Sequence, residues 1–397
     1  MRNIKIAYVL SFISEFYFPV SIWLFYFLNY LNFTEIGILT AVKIISSNIF
    51  EIPTGVFADF FGRKRSLTLA FLIYALVMFG FANVSAFWMF LVLDILKSLS
   101  NAFYSGSLEA LVYDTLKEKN EESKYDKVVS NIESLQWIGL FISSIAGGYF
   151  YYLNIHLPYI IQGTVCLFAF IFTFFLIEPK LASQKSQLKT ILHSNLKGFK
   201  ELFKNFEISK LSIIFITVGS GYLIASEFLG ISQAREYGMD SRAVGIMFAI
   251  GFVISAIASQ IYPKLKTKFG DKNLILFSAT FLIASFLFAK WVGLIVGAML
   301  IIGRISSSPI FRNTRSSMIN KRIASGTRAT TLSTLNLLTQ LPLALIAYFM
   351  GVYIDNNSAN DFAFIVGVGI IILLAVQFLI FKLIENIRIT SKIKNDL

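Results

Sequence analysis

Four charged side chains, those of Glu15, Asp94, Lys97 and Arg304, lie deep within long apolar stretches of this 397-residue chain. At about 1.5 Å of rise per helical residue, each lies roughly 12–18 Å from the start of its stretch, near the middle of a bilayer core of about 30 Å. Lipid does not solvate ionised groups, so such residues usually face protein or water and are usually functional. The sequence therefore predicts a polar site at the centre of a membrane.

The two carboxylates of this set differ in their neighbours. Glu15 has no charged residue within one helical turn, and removal from water disfavours the ionised form of a lone carboxylate. We therefore expect the Glu15 carboxylate to bind and release a proton. Asp94 and Lys97 are three residues apart, so they either serve a ligand or neutralise each other as a structural ion pair. Asn101 and Glu109 continue the same helical stripe, which must face protein or a water-filled cavity.

Two further groups leave alternatives open. Glu227 lies in the outer part of its apolar stretch, where it either contacts a substrate or extends along the bilayer toward the rim. Lys43 and Glu51 share one stretch but are too far apart to pair along a helix. The single Cys and the two distant His predict neither an internal disulfide nor a metal site. No cofactor is expected.

The composition indicates an integral membrane protein made of helices. Hydrophobic residues make up 56% of the chain and charged residues 15%, whereas soluble domains are about 45–50% apolar and about 25% charged. The mean hydropathy is +0.69. Stretches of bilayer-spanning length favour helices over barrel strands. Twelve such stretches are expected, at residues 6–30, 35–57, 66–83, 86–112, 128–151, 156–177, 210–231, 241–262, 273–290, 292–316, 329–353 and 361–384.

The basic residues predict the orientation of these spans. Of the 35 Lys and Arg, 29 fall at the termini or in alternate loops, and positively charged loops stay in the cytosol. Both termini are therefore expected in the cytosol, with the first stretch retained as an uncleaved helix. The net charge of +12 follows from this topology, so no nucleic-acid partner is expected.

A polar turn in residues 51–67 separates the second and third stretches. Its sequence follows the pattern G-x-x-x-D-x-x-G-R-[KR] through Gly55, Asp59, Gly62, Arg63 and Lys64. This pattern resembles the signature loop between helices 2 and 3 of the major facilitator superfamily of secondary transporters.

The resemblance implies that the turn is a cytosolic gate. Arg63 would bind a carboxylate of helix 4, either Glu109 or Asp114, through its forked guanidinium. Asp59 would lie near the N-terminus of helix 11, where an anion is favoured.

Two helices carry partial matches to antiporters of the same family. Those antiporters resemble one another in carrying an arginine in helix 4 that is followed four residues later by a glycine. In this chain the corresponding residues are Lys97 and Asn101. Gly139, Gly147 and Gly148 look like the glycine-rich antiporter motif of helix 5, although its proline is absent. Small residues at this spacing can equally serve close helix packing.

An internal repeat is expected to divide the chain. A shift of 208 residues places Gly270 on Gly62, and a shift of 207 places Arg304 on Lys97. The twelve stretches then form two homologous six-helix halves, which is typical of transporters that rock around a central cavity. The halves are expected at 1–177 and 210–397, joined by a cytosolic linker at 178–209 that contains a surface helix from Leu188 to Phe206.

The resemblance implies a transporter, not an enzyme. We expect proton-coupled export of lipophilic or cationic small molecules, with Glu15 and Asp94 alternating between proton and substrate. The partners would be this substrate, protons and the lipid bilayer, for a monomer in the inner membrane of a bacterium. One alternative is uptake of an organic anion or nutrient through Lys97 and Arg304. Another is a non-transporting membrane sensor or assembly protein whose buried charges are structural pairs.

The topology can be tested at Gln187, which lies in the predicted linker. A cysteine at this position in an otherwise cysteine-free chain should not react with a membrane-impermeant maleimide on intact cells, but should react after the cells are opened. Labelling of intact cells would place the linker outside and contradict the predicted orientation.

Overall fold

A computed structural model describes residues 2–179 and 196–395, and these ranges contain helices and no β-strand. The first group of helices consists of α1 (Arg2–Glu15), α2 (Trp23–Phe27), α3 (Phe33–Phe61), α4 (Arg63–Phe81), α5 (Phe87–Tyr104), α6 (Ser107–Lys117), α7 (Tyr125–Leu153) and α8 (Leu157–Phe174). The second group consists of α9 (Phe206–Ile224), α10 (Gly230–Glu236), α11 (Ser241–Leu287), α12 (Leu294–Asn320), α13 (Arg328–Asn356) and α14 (Ala359–Asn395). A further helical segment covers residues 196–202, within the expected surface helix from Leu188 to Phe206, whereas residues 188–195 of that expected helix lie outside the described residues.

The helices have the length and composition of membrane spans. Within the described ranges, ten helical segments are long and apolar enough to cross a bilayer. One of them, Ser241–Trp291, contains a backbone break at Gly270, and the 18-residue α5 is not among the ten. The chain is therefore a multi-pass, all-helical membrane protein, as its composition predicts.

The first apolar stretch is not the continuous helix expected over residues 6–30. α1 ends at Glu15, a 3-10 turn covers Phe18–Ser21, and α2 follows. Pro19 in this turn has no N–H to donate, and the Phe18 N–H donates to Gln162 Oε1 of α8 at 3.0 Å. Glu15 consequently lies at the C-terminal end of a helix, not in its middle.

The polar stripe expected on one fourth helix is divided between two helices. The break lies at Gly106, whose φ of 70° is in the left-handed region that favours glycine. Glu109 therefore belongs to α6, while Asp94, Lys97 and Asn101 belong to α5.

Two glycines form turns of the same kind in the two groups. Gly62, between α3 and α4, has φ 96° and ψ 155°, and Gly270, within α11, has φ 75° and ψ 160°. This region of backbone space is essentially restricted to glycine. The 208-residue shift thus relates two positions at which the backbone adopts the same conformation, one that requires glycine.

The two groups meet at one end of the bundle, which we call the sealed end. It is formed by residues 33–37 against 347–355 and by residues 144–148 against 241–245. Asp355 of α13 accepts hydrogen bonds from the backbone N–H groups of Phe33 (2.8 Å) and Thr34 (2.9 Å). The carboxylate thereby caps the N-terminus of α3, where free N–H groups favour an anion.

Glycines allow the backbones to touch at the sealed end. A Cβ added to Gly148 would lie 2.4 Å from the Ser241 carbonyl oxygen, and one added to Gly351 would lie 2.2 Å from that of Phe33. The hydroxyl of Ser241 also donates to the Gly148 carbonyl at 3.0 Å. Small residues are what close approach of membrane helices requires, so these positions determine how tightly the groups meet.

A bulkier residue at this contact should destabilise the protein. Gly148→Val forces the two backbones apart, and overpacking of this kind costs about 1–3 kcal/mol, so we expect a melting temperature several degrees lower in detergent. Gly369→Val is the matched control, because a Cβ at Gly369 would meet no atom within 4 Å. Equal melting temperatures for the two variants would contradict a tight contact at Gly148.

Candidate functional site

A cavity of about 850 Å³ lies between the two groups of helices, and this volume is typical of sites for drug-sized ligands. Six of the residues predicted to form a site line it, namely Glu15, Asp94, Lys97, Asn101, Glu109 and Glu227. The other predicted residues, namely Arg304, Asp114, Gly55, Asp59, Gly62, Arg63 and Lys64, are not part of its lining. The structure thus brings together most of the intramembrane charges and places the motif turn elsewhere.

Glu15 and Asp94 bring two carboxylates to the cavity wall. Asp94 is only 6% exposed, and neither its carboxylate nor that of Glu15 makes a hydrogen bond or ion pair within the described part of the chain. Asp94 and Lys97 therefore form no direct ion pair within the described residues, although the charge of Lys97 acts on Asp94. Both carboxylates are available to a ligand or a proton.

Lys97 bonds an aromatic residue instead. Its Nζ donates to the Tyr17 hydroxyl at 2.9 Å and lies 4.9 Å from the centre of the same ring. The ring of Tyr17 packs edge-on against Tyr74. An aromatic face attracts a cation, so part of the Lys97 charge is satisfied without a carboxylate.

The groups are bridged across the cavity by an ion pair. Lys43 Nζ of α3 lies 2.6 Å from Glu227 Oε2, and Glu227 belongs to a π-helical turn, Ala225–Leu229, between α9 and α10. Turns of this kind occur often at functional sites. The pair places Glu227 in the cavity and not at the membrane rim, and it identifies Lys43 as a site residue that sequence analysis missed.

Arg304 is separate from the cavity. Its side chain is 3% exposed, donates through Nη2 to Gln233 Oε1 and lies 5.0 Å from the Phe286 ring. Its Nη1 is buried and has no partner among the described residues. Lys97 and Arg304 are therefore not brought together in this cavity.

The glycine-rich stretch of α7 positions the carboxylate at the end of α1. A Cβ on Gly139 would lie 3.1 Å from the Phe12 carbonyl oxygen and 3.4 Å from the Glu15 carbonyl carbon, and one on Gly147 would lie 2.0 Å from the Phe18 oxygen. These glycines let α7 pass close to the point where the first span breaks. In the structure these glycines allow close packing of helices, which is one of the two interpretations that the sequence left open.

The motif turn is held by its own charges and by one residue beyond α8. Arg63 forms an ion pair with Asp59 at 2.7 Å, and Asp114 lies within electrostatic range of Arg63. Glu178 accepts from the backbone N–H groups of Arg63 (2.7 Å) and Lys64 (2.8 Å). The partner expected for Arg63 was Glu109 or Asp114. Arg63 pairs with Asp59 one turn away, and its charge also acts on Asp114.

Lys64 and Gly62 complete the turn. Lys64 Nζ donates to the Phe174 carbonyl at 2.8 Å, and a Cβ on Gly62 would lie 2.6–2.8 Å from the Glu178 carboxyl group. Sequence analysis placed residue 178 only at the start of the expected linker. Its role as the N-terminal cap of α4 depends on a contact across more than 100 residues, which no local pattern reveals.

A model of the Major Facilitator Superfamily matches residues 5–347 of the chain. Two curated relatives come from Bacillus subtilis strain 168. The chain is 27% identical over 258 residues to the uncharacterized MFS-type transporter YxaM, covering 64% of this chain and 63% of that one. It is 25% identical over 256 residues to Multidrug resistance protein 2, covering 62% and 61%. The chain thus matches less than two thirds of the length of these relatives.

Solved structures share the fold over almost the whole chain. A structure of the nucleoside transporter NupG superimposes with a TM-score of 0.78 at 15% identity, covering 96% of this chain and 98% of that one. A bacterial homolog of the human lysosomal transporter Spinster, in an inward-facing and occupied conformation, gives a TM-score of 0.70 at 14% identity, covering 97% and 96%. At these identities the likeness concerns the fold alone.

The cap at the motif turn can be tested by removing its carboxylate. Glu178→Ala leaves two N–H groups at the start of α4 without an acceptor, and loss of such a cap costs about 0.5–2 kcal/mol. We expect a lower melting temperature than for Glu201→Ala, which removes only a bond to Lys204 one turn away on the surface. A Glu178→Ala protein as stable as this control would contradict the capping role.

Proposed function

Because the chain belongs to the Major Facilitator Superfamily, we propose that it is a secondary active transporter that exports lipophilic cationic small molecules in exchange for protons. The observation that carries this proposal is the cavity between the two groups, with Glu15 and Asp94 unpartnered in its wall. The relatives are described as transporters, which agrees with the expectation that the chain is not an enzyme.

The charges of the cavity favour a cation. Its two basic residues are already engaged, Lys43 by Glu227 and Lys97 by Tyr17. Glu15, Asp94 and Glu109 remain as acidic groups in the lining. A water-filled cavity with low-dielectric walls concentrates ions of the opposite sign, so an organic cation or a proton is the ligand that this arrangement attracts.

The walls favour a lipophilic ligand with aromatic or alkyl groups. Nine aromatic side chains line the cavity, those of Tyr17, Trp23, Phe27, Tyr74, Phe81, Tyr104, Tyr159, Phe248 and Phe252. Aromatic faces bind apolar surface and also attract cations. Multidrug resistance protein 2 of Bacillus subtilis and the class B tetracycline resistance protein of Escherichia coli are among the relatives, and their names agree with export of such compounds.

The fold supports alternating access. The groups touch at the sealed end through Asp355 and the Gly148 contact, while the cavity extends toward the other end as far as Ser105, Gly106 and Glu109. We assign the sealed end to the exterior and the other end to the cytosol, with the motif turn as the cytosolic gate. Rocking of the groups would then open the cavity to each side in turn.

This proposal requires an even number of spans. The ten segments of the described chain become twelve if Ser241–Trp291 crosses twice around Gly270 and if α5 is also a span. The six-helix halves would then lie at 1–177 and 210–397, both termini and the linker at 178–209 would be cytosolic, and the protein would act as a monomer in a bacterial inner membrane.

Glu15 is assigned the coupling role. It lies at the end of α1, lines the cavity and has no basic partner, so it can bind either a proton or a cationic substrate, but not both at once. Asp94 can bind the substrate cation in the same cavity. Uptake of an organic anion is less well supported, because Arg304 lies outside the cavity lining.

Replacing the proposed coupling carboxylate should uncouple transport. In proteoliposomes with an acidic interior, the native protein should accumulate a lipophilic cation such as tetraphenylphosphonium, and Glu15→Gln should lose this gradient-driven accumulation because an amide does not release a proton. Glu207→Gln, at an exposed position on α9, is the matched control and should accumulate the cation normally. Accumulation by Glu15→Gln at the native rate would remove Glu15 from the coupling role.

A further inference from the structure

We propose that Lys43 exchanges its carboxylate partner as the cavity changes sides, bonding Glu227 of the second group when the sealed end is closed and Asp94 of its own group when that end opens. The proposal rests on the alternating access argued above. The Lys43–Glu227 ion pair, which has no other part in the proposed transport cycle, would then help to set which side of the cavity is open.

The first observation is that the Lys43–Glu227 pair joins the two groups. At 2.6 Å it is a close, charge-assisted contact, of the kind that is stronger than a neutral hydrogen bond. Both side chains line the cavity. Any motion that separates α3 from the turn at Ala225–Leu229 must break it.

The second observation is that opening of the sealed end would produce this separation. Phe33, at the start of α3, packs against Phe228 with ring centres 5.9 Å apart, and Phe228 follows Glu227 directly. The same Phe33 N–H is held by Asp355 of the second group. Parting of the groups at this end therefore draws α3 away from the π-helical turn and removes Glu227 from Lys43.

The third observation is that a second carboxylate lies beside Lys43 within the first group. The Ser98 hydroxyl of α5 makes hydrogen bonds to both the Asp94 carbonyl (2.9 Å) and the Lys43 carbonyl (3.3 Å). This serine fixes α5 against α3 at the level of both side chains. The Asp94 carboxylate makes no hydrogen bond or ion pair in the described chain, and the charges of both Lys97 and Lys43 act on it.

Partner exchange follows from the cost of a lone buried cation. An ammonium group that lost Glu227 would remain in the membrane interior without a counter-ion, which is unfavourable. Asp94 can supply this counter-ion because it belongs to the same group of helices as Lys43. Loss of the Asp94 charge would leave Lys43 without this second partner and so favour the closed sealed end.

The test measures the distance across the sealed end. Spin labels are placed on cysteines at the exposed positions Asn83 and Asn357 of full-length protein carrying Cys166→Ser, reconstituted in lipid nanodiscs. Pulsed electron resonance then gives the populations with short and long distances. We expect Glu227→Gln to raise the long-to-short ratio at least about fivefold and Asp94→Asn to lower it by a similar factor, which is an ordinary size for coupling between sites.

Lys43→Met provides the double-mutant test. If one ammonium serves both carboxylates, each carboxylate substitution should leave the ratio unchanged in the Lys43→Met background, because coupled residues show non-additive effects. Lys43→Gln serves the same purpose if the methionine variant does not fold. Glu385→Gln is the matched control, since it breaks the Lys210–Glu385 pair of 2.9 Å within the second group, and it should leave the ratio unchanged.

The outcomes separate this inference from the proposed function. Two distance populations in the native protein, with shifts in the same direction for both substitutions or shifts that persist without Lys43, would overturn partner exchange alone. A single short distance in the native protein and in every variant would overturn alternating access and the inference together.

Discussion

The structure depends on one constraint, which is that every charge within a lipid bilayer must bind a counter-charge, an aromatic face or water. The intramembrane charges of the first group meet it by facing the cavity. Lys43 binds Glu227 across the cavity, and Lys97 binds Tyr17. The carboxylates of Glu15 and Asp94 line the cavity and have no bonding partner within the described chain. In the proposed transport cycle, a substrate cation or a proton supplies the counter-charge that the protein does not provide to these two carboxylates.

Breaks in the helices make this arrangement possible. The first span stops at Glu15 and resumes after a 3-10 turn, the α5–α6 break lies at Gly106, and Glu227 lies on a π-helical turn. Irregular backbone is tolerated at membrane depth where it lines a cavity or is buried in protein. Acidic side chains next to such breaks are thus presented to the space between the groups, which agrees with the way transporter folds build their central sites.

The sequence was sufficient to predict the helical membrane fold, the family and most of the charged residues of the cavity, because mean hydropathy, the turn pattern at Gly62 and the rarity of intramembrane charge are local properties. The helix breaks were missed, since Gly106 and Pro19 gave no signal stronger than the apolar runs around them. The Lys43–Glu227 pair was also missed. It joins residues 184 positions apart, and neither residue has a partner within its own helix to suggest where it points. Arg304, which the repeat relates to Lys97, lies outside the cavity lining, because a repeat relates equivalent positions but does not place them in one cavity.

The central claim is that a cation and a proton compete for the unpartnered carboxylates of the cavity. Proton release on binding tests it most directly, with purified protein in weakly buffered detergent solution, tetraphenylphosphonium as the ligand and a pH indicator as the readout. Because binding of a cation to a protonated carboxylic acid must displace its proton, the account predicts release of about one proton per bound cation, and no release from a variant with Glu15→Gln and Asp94→Asn together. Saturable binding of the cation without any release of protons would contradict it.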